Sequence, residues 1–324
     1  MEDFEYTTLG LNAMATRFEF MLWGAKPSDL QAAAYAAIEE IRRLEDQLSI
    51  YRDNSETTEI NLFAAQRPVI VDPRLFQFLQ HARRLHDETR GAFDITVGPL
   101  IRAWGFLGGS GAMADTEEIH KALELVGMQK IELIEEDHSV RFLSDGMMID
   151  LGAIGKGYAI DRAADILRDC GIPGALLHGG TSSVAAVGAR PDGTPWPIAV
   201  QHPMEPQSYL TIVHLLDNTL SVSAISGKCF QYESRRYGHV LDPRTGEPVQ
   251  RTILAAVVGP SATDGDALST GLMVGGENLF EHLRHKPETQ LLLALEEDDG
   301  TLRFRSSLQE LHFKEEASRL SAIE

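Results

Sequence analysis

The chain has 324 residues, 43% hydrophobic and 24% charged, and its 48 acidic residues against 29 basic ones give a formal net charge of −19. This is the composition of a globular protein long enough to bury a full core, and it excludes a disordered polymer. The acidity argues against a nucleic-acid-coating surface, and Cys170 and Cys229, in unrelated contexts, form neither a disulfide framework nor a metal-thiolate pattern.

The first residues, Met1-Glu2-Asp3-Phe4-Glu5, are acidic where a secretory signal is basic and then apolar. No stretch is long enough to cross a bilayer, so the expected location is the cytoplasm.

In chain order, residues 17–23 alternate as a strand. Pro27-Ser28-Asp29 reads as the cap and first turn of a long helix, with Leu30, Ala34, Ile38, Ile41, Leu44 and Leu48 as its buried stripe. Leu48-Ser49-Ile50-Tyr51 leads into a short capped helix over 55–61, and residues 69–71 read as a short strand. Residues 73–89 form a helix turned inward through Leu75, Phe78, Leu79, Ala82 and Leu85; its His81 and His86 have no other metal ligands in pattern and read as surface or rim residues.

Ala92-Phe93-Asp94, before a Gly98-Pro99 break, suits the rim of a planar ring and equally suits ordinary packing. Residues 107–114 are glycine-rich and expected to be mobile. A capped amphipathic helix follows over 116–126, and a hairpin over 131–143 turns at Glu136-Asp137-His138.

Residues 150–161 carry the first chemistry. Extended chain runs through three glycines, Asp150 and Lys156 into a helix, a turn that suits a phosphate: glycines admit close approach, helix-start amides attract anions, and Lys156 adds a full charge. The spacing is neither that of the P-loop nor that of the dinucleotide fingerprint, and a plain strand-to-helix joint with an exposed lysine fits the same residues.

Strands are expected around 174–181, 184–187, 198–201, 210–215, 220–224, 253–258, 290–295 and 302–304, with a helix over 278–285. The fold class is therefore α+β, with largely antiparallel sheets flanked by helices. A single lobed domain over 1–306 and a tail or docked helix over 307–324 are expected.

A second strand-to-helix joint spans residues 260–271. Asp266 and Thr270 stand four apart on one helix face, as hard oxygen donors suited to Mg²⁺; a plain capping role for Asp264 or Asp266 is the other reading. Finally His239 precedes the tight-turn sequence Asp242-Pro243-Arg244-Thr245-Gly246, and its side chain is either structural or a proton acceptor near neutral pH.

Together these motifs, in this order, resemble the ApbE family of FAD:protein FMN transferases. The resemblance runs from about Met14 to Gly276 through Met14-Ala15-Thr16, Leu48-Ser49-Ile50-Tyr51, Ala92-Phe93-Asp94, residues 150–161, His178-Gly179-Gly180, residues 239–246 and residues 266–270. It implies that FAD is split at its pyrophosphate, that FMN is joined to a threonine or serine hydroxyl of an acceptor flavoprotein, and that AMP leaves. By similarity Asp266 and Thr270 bind Mg²⁺ through side-chain oxygens and Ala153 through its carbonyl. Met14, Tyr51, Ala92, Phe93, Asp94, Asp150 and Lys156 line the FAD site, and His239 is the candidate proton acceptor.

The chain departs from the family pattern at Ala15, Gly155, Thr181, Lys228 and Ser269. Two other readings stand beside transfer: an FAD pyrophosphatase that yields FMN and AMP, and a non-catalytic FAD-binding protein. The resemblance leaves the oligomeric state open and, with no export signal in the sequence, implies an acceptor inside the cell.

Overall fold

The computed structural model describes residues 6–308 apart from 206, 226 and 234, so the expected tail or docked helix lies almost entirely outside the described residues. The architecture is α+β. A wholly antiparallel eight-stranded sheet runs in the order β1 (Thr7–Ala13), β2 (Thr16–Trp23), β6 (Gly174–Gly179), β7 (Ser183–Val187), β10 (Thr219–Ala224), β13 (Thr252–Gly259), β14 (Gln290–Glu296) and β15 (Leu302–Ser306).

Both faces of this sheet are covered. Helices α1 (Pro27–Leu48), α6 (Gly155–Asp169) and α7 (Ala262–Leu283) pack on one face, α1 against α6 and α6 against α7. The hairpin of β8 (Trp196–Gln201) and β9 (Tyr209–Leu215) packs on the other through Trp196, Val200 and Leu215. Cover on two sides explains why every residue of β7 and β13 is buried and why these strands read as apolar runs, not as an alternation.

Beside the helical face lie α2 (Glu56–Phe63), α3 (Pro73–Glu88), α4 (Gly98–Ala103) and α5 (Thr116–Leu123), with a small sheet in the order β3 (Val69–Ile70), β5 (Ser139–Phe142), β4 (Ile131–Ile134). The hairpin of β11 (Cys229–Tyr232) and β12 (Arg235–Gly238) is seated by aromatic packing. Phe230 stacks on Tyr237 at 5.3 Å, and Tyr237 on Trp104 at 5.9 Å.

Several elements differ from the sequence-based expectation. Strand β1 was not anticipated; it joins β2 through the two-residue turn Met14-Ala15, where φ is 49° and 58°, the backbone of a primed hairpin turn. Gly98-Pro99 opens α4 and breaks nothing, because a first-turn proline gives up no helical hydrogen bond. The cap position of α1 is Lys26 with no side-chain bond, while Pro27 takes the first turn. Residues 107–114, expected to be mobile, form no helix or strand; Ala112 N–H donates to the carbonyl of Trp104 at 2.9 Å and Gly111 N–H to that of Gly105 at 3.2 Å. Within α7 the backbone is non-helical at Gly276 (φ 54°, ψ −143°), so two helices meet there at a kink, in line with the separate helices expected after residues 260–271 and over 278–285. Among the described residues no helix is long and apolar enough to cross a membrane.

Candidate active site

The two strand-to-helix joints of the sequence meet at the packed starts of α6 and α7. Gly157 makes this approach possible, since a Cβ there would fall on the carbonyl of Ala262. Its N–H donates to Asp266 Oδ2 at 2.7 Å, and the Ser183 hydroxyl donates to Asp266 Oδ1 at 2.7 Å. Asp266 is only 6% exposed. Burial pushes its carboxyl above the ordinary value, against the opposing pull of Lys156 and of the Ser183 and Gly157 donors.

Neither Asp264 nor Asp266 caps α7. The cap is Ser261, whose hydroxyl oxygen accepts from Asp264 N–H, and Asp161 of α6 accepts the N–H groups of Ala262 at 2.8 Å and Thr263 at 2.9 Å. Asp264 turns outward to His81 Nε2 at 2.6 Å. Thr270 lies one turn beyond Asp266, its Oγ1 3.3 Å from Ser223 Oγ.

The phosphate cradle expected of residues 150–161 is partly spent on the protein itself. Gly152 N–H donates to Asp150 Oδ1 at 2.7 Å and Gly155 N–H to the Leu151 carbonyl at 2.7 Å, besides the Gly157 bond to Asp266. Lys156 keeps its charge available: among the described residues, Nζ reaches only the carbonyl of Gly152, at 3.3 Å. Burial pushes the Asp150 carboxyl up, with Gly152, Lys156, Lys228 and His239 pulling the other way.

His239 follows β12. Its Nδ1 lies 3.0 Å from the carbonyl oxygen of Lys228, which also accepts the His239 backbone N–H. A carbonyl only accepts, so Nδ1 carries the proton and Nε2 holds the lone pair of the neutral ring. The residue is exposed at the cleft mouth, yet its ring packs edge-on to Phe106 and close over Gly227. That desolvation, reinforced by Lys156 and Lys228, lowers its pKa below the ordinary imidazole value against the opposing effects of the Lys228 carbonyl and Asp150.

One cleft of about 1220 Å³ is lined by Met14, Tyr51, Ala92, Phe93, Asp94, Asp150, Ala153, Lys156, His239, Asp266 and Thr270, the residues that the resemblance implies for the FAD and metal sites. Ala15, Gly155, Thr181 and Lys228 line it as well; Ser269 does not, and instead lies 2.9 Å from Ser223 Oγ. Tyr51 is an exposed rim residue, 62% accessible, and Met14 N–H is held by the Glu45 carboxylate at 2.6 Å. Asp94 is buried and accepts from the Thr96 N–H and hydroxyl at 2.7 and 2.6 Å.

His86 is no free surface residue. Its Nδ1 is 3.0 Å from the carbonyl of Phe93 and 3.3 Å from Asp94 Oδ2, so it braces that rim segment from behind. Ser183, Ser223 and Glu45 were also missed in the sequence. Each supports the site from an element far away in the chain, and no local pattern marks it.

Asp266, Thr270 and the Ala153 carbonyl offer hard oxygen atoms to a cation. Among the described residues no group of three or more His, Cys, Asp or Glu side chains is arranged to hold a metal. A single buried carboxylate with neutral oxygens fits Mg²⁺, which takes few protein ligands and completes its shell with phosphate and water.

A lysine bonded only to a carbonyl, a neutral-ring histidine and hard oxygen atoms line one cleft, and these are the kinds of group that phosphoryl-transfer chemistry uses. Residues 14–293 match the model of the ApbE family, and the chain belongs to that family. It is 30% identical over 289 residues to the FAD:protein FMN transferase of Vibrio cholerae, covering 87% of this chain and 84% of the relative. The crystal structure of the ApbE protein of Thermotoga maritima superposes with a TM-score of 0.84 at 28% identity, covering 92% of this chain and 96% of that one. The apo form of the Pseudomonas stutzeri flavinyl transferase ApbE gives 0.81 at 26% identity, covering 94% and 96%.

Proposed function

We propose that this enzyme transfers the FMN portion of FAD to a threonine or serine hydroxyl of an acceptor flavoprotein and releases AMP. The observation that carries this reading is the single cleft in which Asp266, Lys156 and the free Nε2 tautomer of His239 face the same space. Its volume exceeds the roughly 300–1,000 Å³ of an ordinary small-molecule site, which leaves room for an acceptor segment beside the dinucleotide.

In this reading the exposed Tyr51 ring offers a face to a planar ring system at the rim. Lys156 neutralises the pyrophosphate. The acceptor hydroxyl attacks the FMN phosphorus in line, its proton passes to Nε2 of His239, and the bond to AMP breaks. Mg²⁺, held by Asp266, Thr270 and the Ala153 carbonyl, would supply further charge neutralisation on the diphosphate. The acceptor is expected in the cytoplasm, in keeping with two cysteines that stay unpaired.

The test is incubation of the purified protein with FAD, Mg²⁺ and an acceptor flavoprotein that the Vibrio cholerae enzyme modifies in a parallel reaction. Intact mass should show one FMN added to the acceptor, with AMP in equal amount. AMP without a mass gain would establish hydrolysis instead; neither product would end the transferase reading.

A further inference from the structure

In a chain with 48 acidic residues, two cleft-lining ammonium groups are left without a carboxylate. Lys156 reaches only a carbonyl, and the Lys228 side chain has no hydrogen-bond or ion-pair partner among the described residues. The contrast is Arg244, just past His239, which Asp242 grips with both oxygens at 2.8 and 2.7 Å. Cations kept free inside a cleft hold their charge for an anionic ligand.

The two lysines occupy different parts of that space. Lys156 lies in the first turn of α6, next to Gly157, whose N–H donates to Asp266 at the start of α7. Lys228 lies instead beside His239, to which its carbonyl is hydrogen-bonded, so Lys156 serves the α6–α7 side and Lys228 the histidine side. The Lys228 backbone is pinned, because its carbonyl accepts both the N–H and the Nδ1–H of His239. Its side chain thus starts from a fixed point beside the proton acceptor.

We propose that Lys228 is a second diphosphate-binding residue, neutralising the phosphoryl group that is transferred, while Lys156 serves the phosphate that leaves with AMP. The assignment rests on the flavin-transfer reading above. In the step it assists, the acceptor oxygen bonds to the FMN phosphorus and the bridging P–O bond breaks. AMP departs with the bridging oxygen and its electron pair, and the hydroxyl proton goes to His239 Nε2. The ammonium of Lys228 offsets the charge gathering on the non-bridging oxygens of that phosphorus.

The experiment measures binding of FAD, riboflavin, FMN and AMP to the wild-type chain, Lys228→Ala and Lys228→Arg, with Mg²⁺ and without acceptor. Lys228→Ala should weaken FAD and FMN about tenfold and leave riboflavin and AMP unchanged, while Lys228→Arg stays within about threefold of wild type. Unchanged FAD binding in Lys228→Ala, or an equal loss for riboflavin, would overturn the assignment while the transferase reading stands. A loss for AMP in place of FMN would overturn the side of the diphosphate given to Lys228. A wild-type chain that takes up no FAD would remove the flavin reading, and this assignment with it.

Discussion

The backbone N–H of Gly157 donates to Asp266 Oδ2 at 2.7 Å, across 109 residues of chain. With the bonds from Ala262 and Thr263 to Asp161, this bond ties together the starts of the two helices that carry Lys156, Asp266 and Thr270. Replacing Gly157 by alanine would drive a methyl group into the Ala262 carbonyl. Gly157→Ala should cost on the order of 3 kcal/mol, read as a lowered urea midpoint at constant slope. A wild-type midpoint would mean that α6 and α7 are not held this closely.

In the proposed reading, Asp266 ties stability to the metal. Its folded-state pKa is raised, so the ionised carboxyl opposes folding: the stability of the protonated form is fully present below the unfolded-state value and is lost as pH rises through the folded-state one. At neutral pH without metal, Asp266→Asn should therefore melt at or above the wild-type temperature. Added Mg²⁺ should raise the wild-type Tm and leave the variant unmoved. A variant that Mg²⁺ stabilises equally would show that Asp266 is no ligand.

The neutral ring of His239 is favoured by desolvation and by two lysines. The acid limb of kcat/KM should accordingly lie below the ordinary imidazole value of about 6.5. Removing a neighbouring cation favours the imidazolium, so Lys156→Ala should move whatever activity remains toward a higher-pH limb. His239→Ala should lower the rate by roughly 10² to 10⁴ and abolish that limb. A limb that survives His239→Ala belongs to another group.

Gly227 is the floor under that ring. A Cβ there would lie 2.5 Å from His239 Cε1, so Gly227→Ala should displace the imidazole and lower kcat by more than about tenfold, with FAD affinity held within a few-fold. Full activity in this variant would show that the ring has room to move.

At the β1–β2 turn, Ala15 sits at φ 58°, a region that costs a residue with a Cβ roughly 1–2 kcal/mol. Ala15→Gly should be stabilising, by up to about 1 kcal/mol once the added freedom of the unfolded chain is counted. Thermal unfolding checks it; a lowered Tm would contradict the strain.

Much of the fold was legible in the sequence because it is local. The stripe of α1, from Leu30 to Leu48, follows a helical period, and the apolar run of β13 reflects cover on both sheet faces. Strand β1 escaped because its turn, Met14-Ala15, carries neither the glycine nor the asparagine that marks such a turn. The β11–β12 hairpin escaped because its order comes from Tyr237 stacking on Trp104 and Phe230 packing tilted against it, more than a hundred residues downstream of that tryptophan.

The sequence by itself determined which chemical groups this protein owns. Spacing put Asp266 and Thr270 on one helix face, glycines and Lys156 at a helix start, and His239 before a tight turn, because helix pitch and turn stereochemistry are properties of neighbouring residues. Tertiary structure decided how those groups are used. It gave the Gly157 amide to Asp266, buried that carboxylate beside Ser183, and set the His239 tautomer through the Lys228 carbonyl. Hydrogen bonding, desolvation and charge act through space over a few ångströms, and only the folded chain brings within that range residues that lie far apart in sequence.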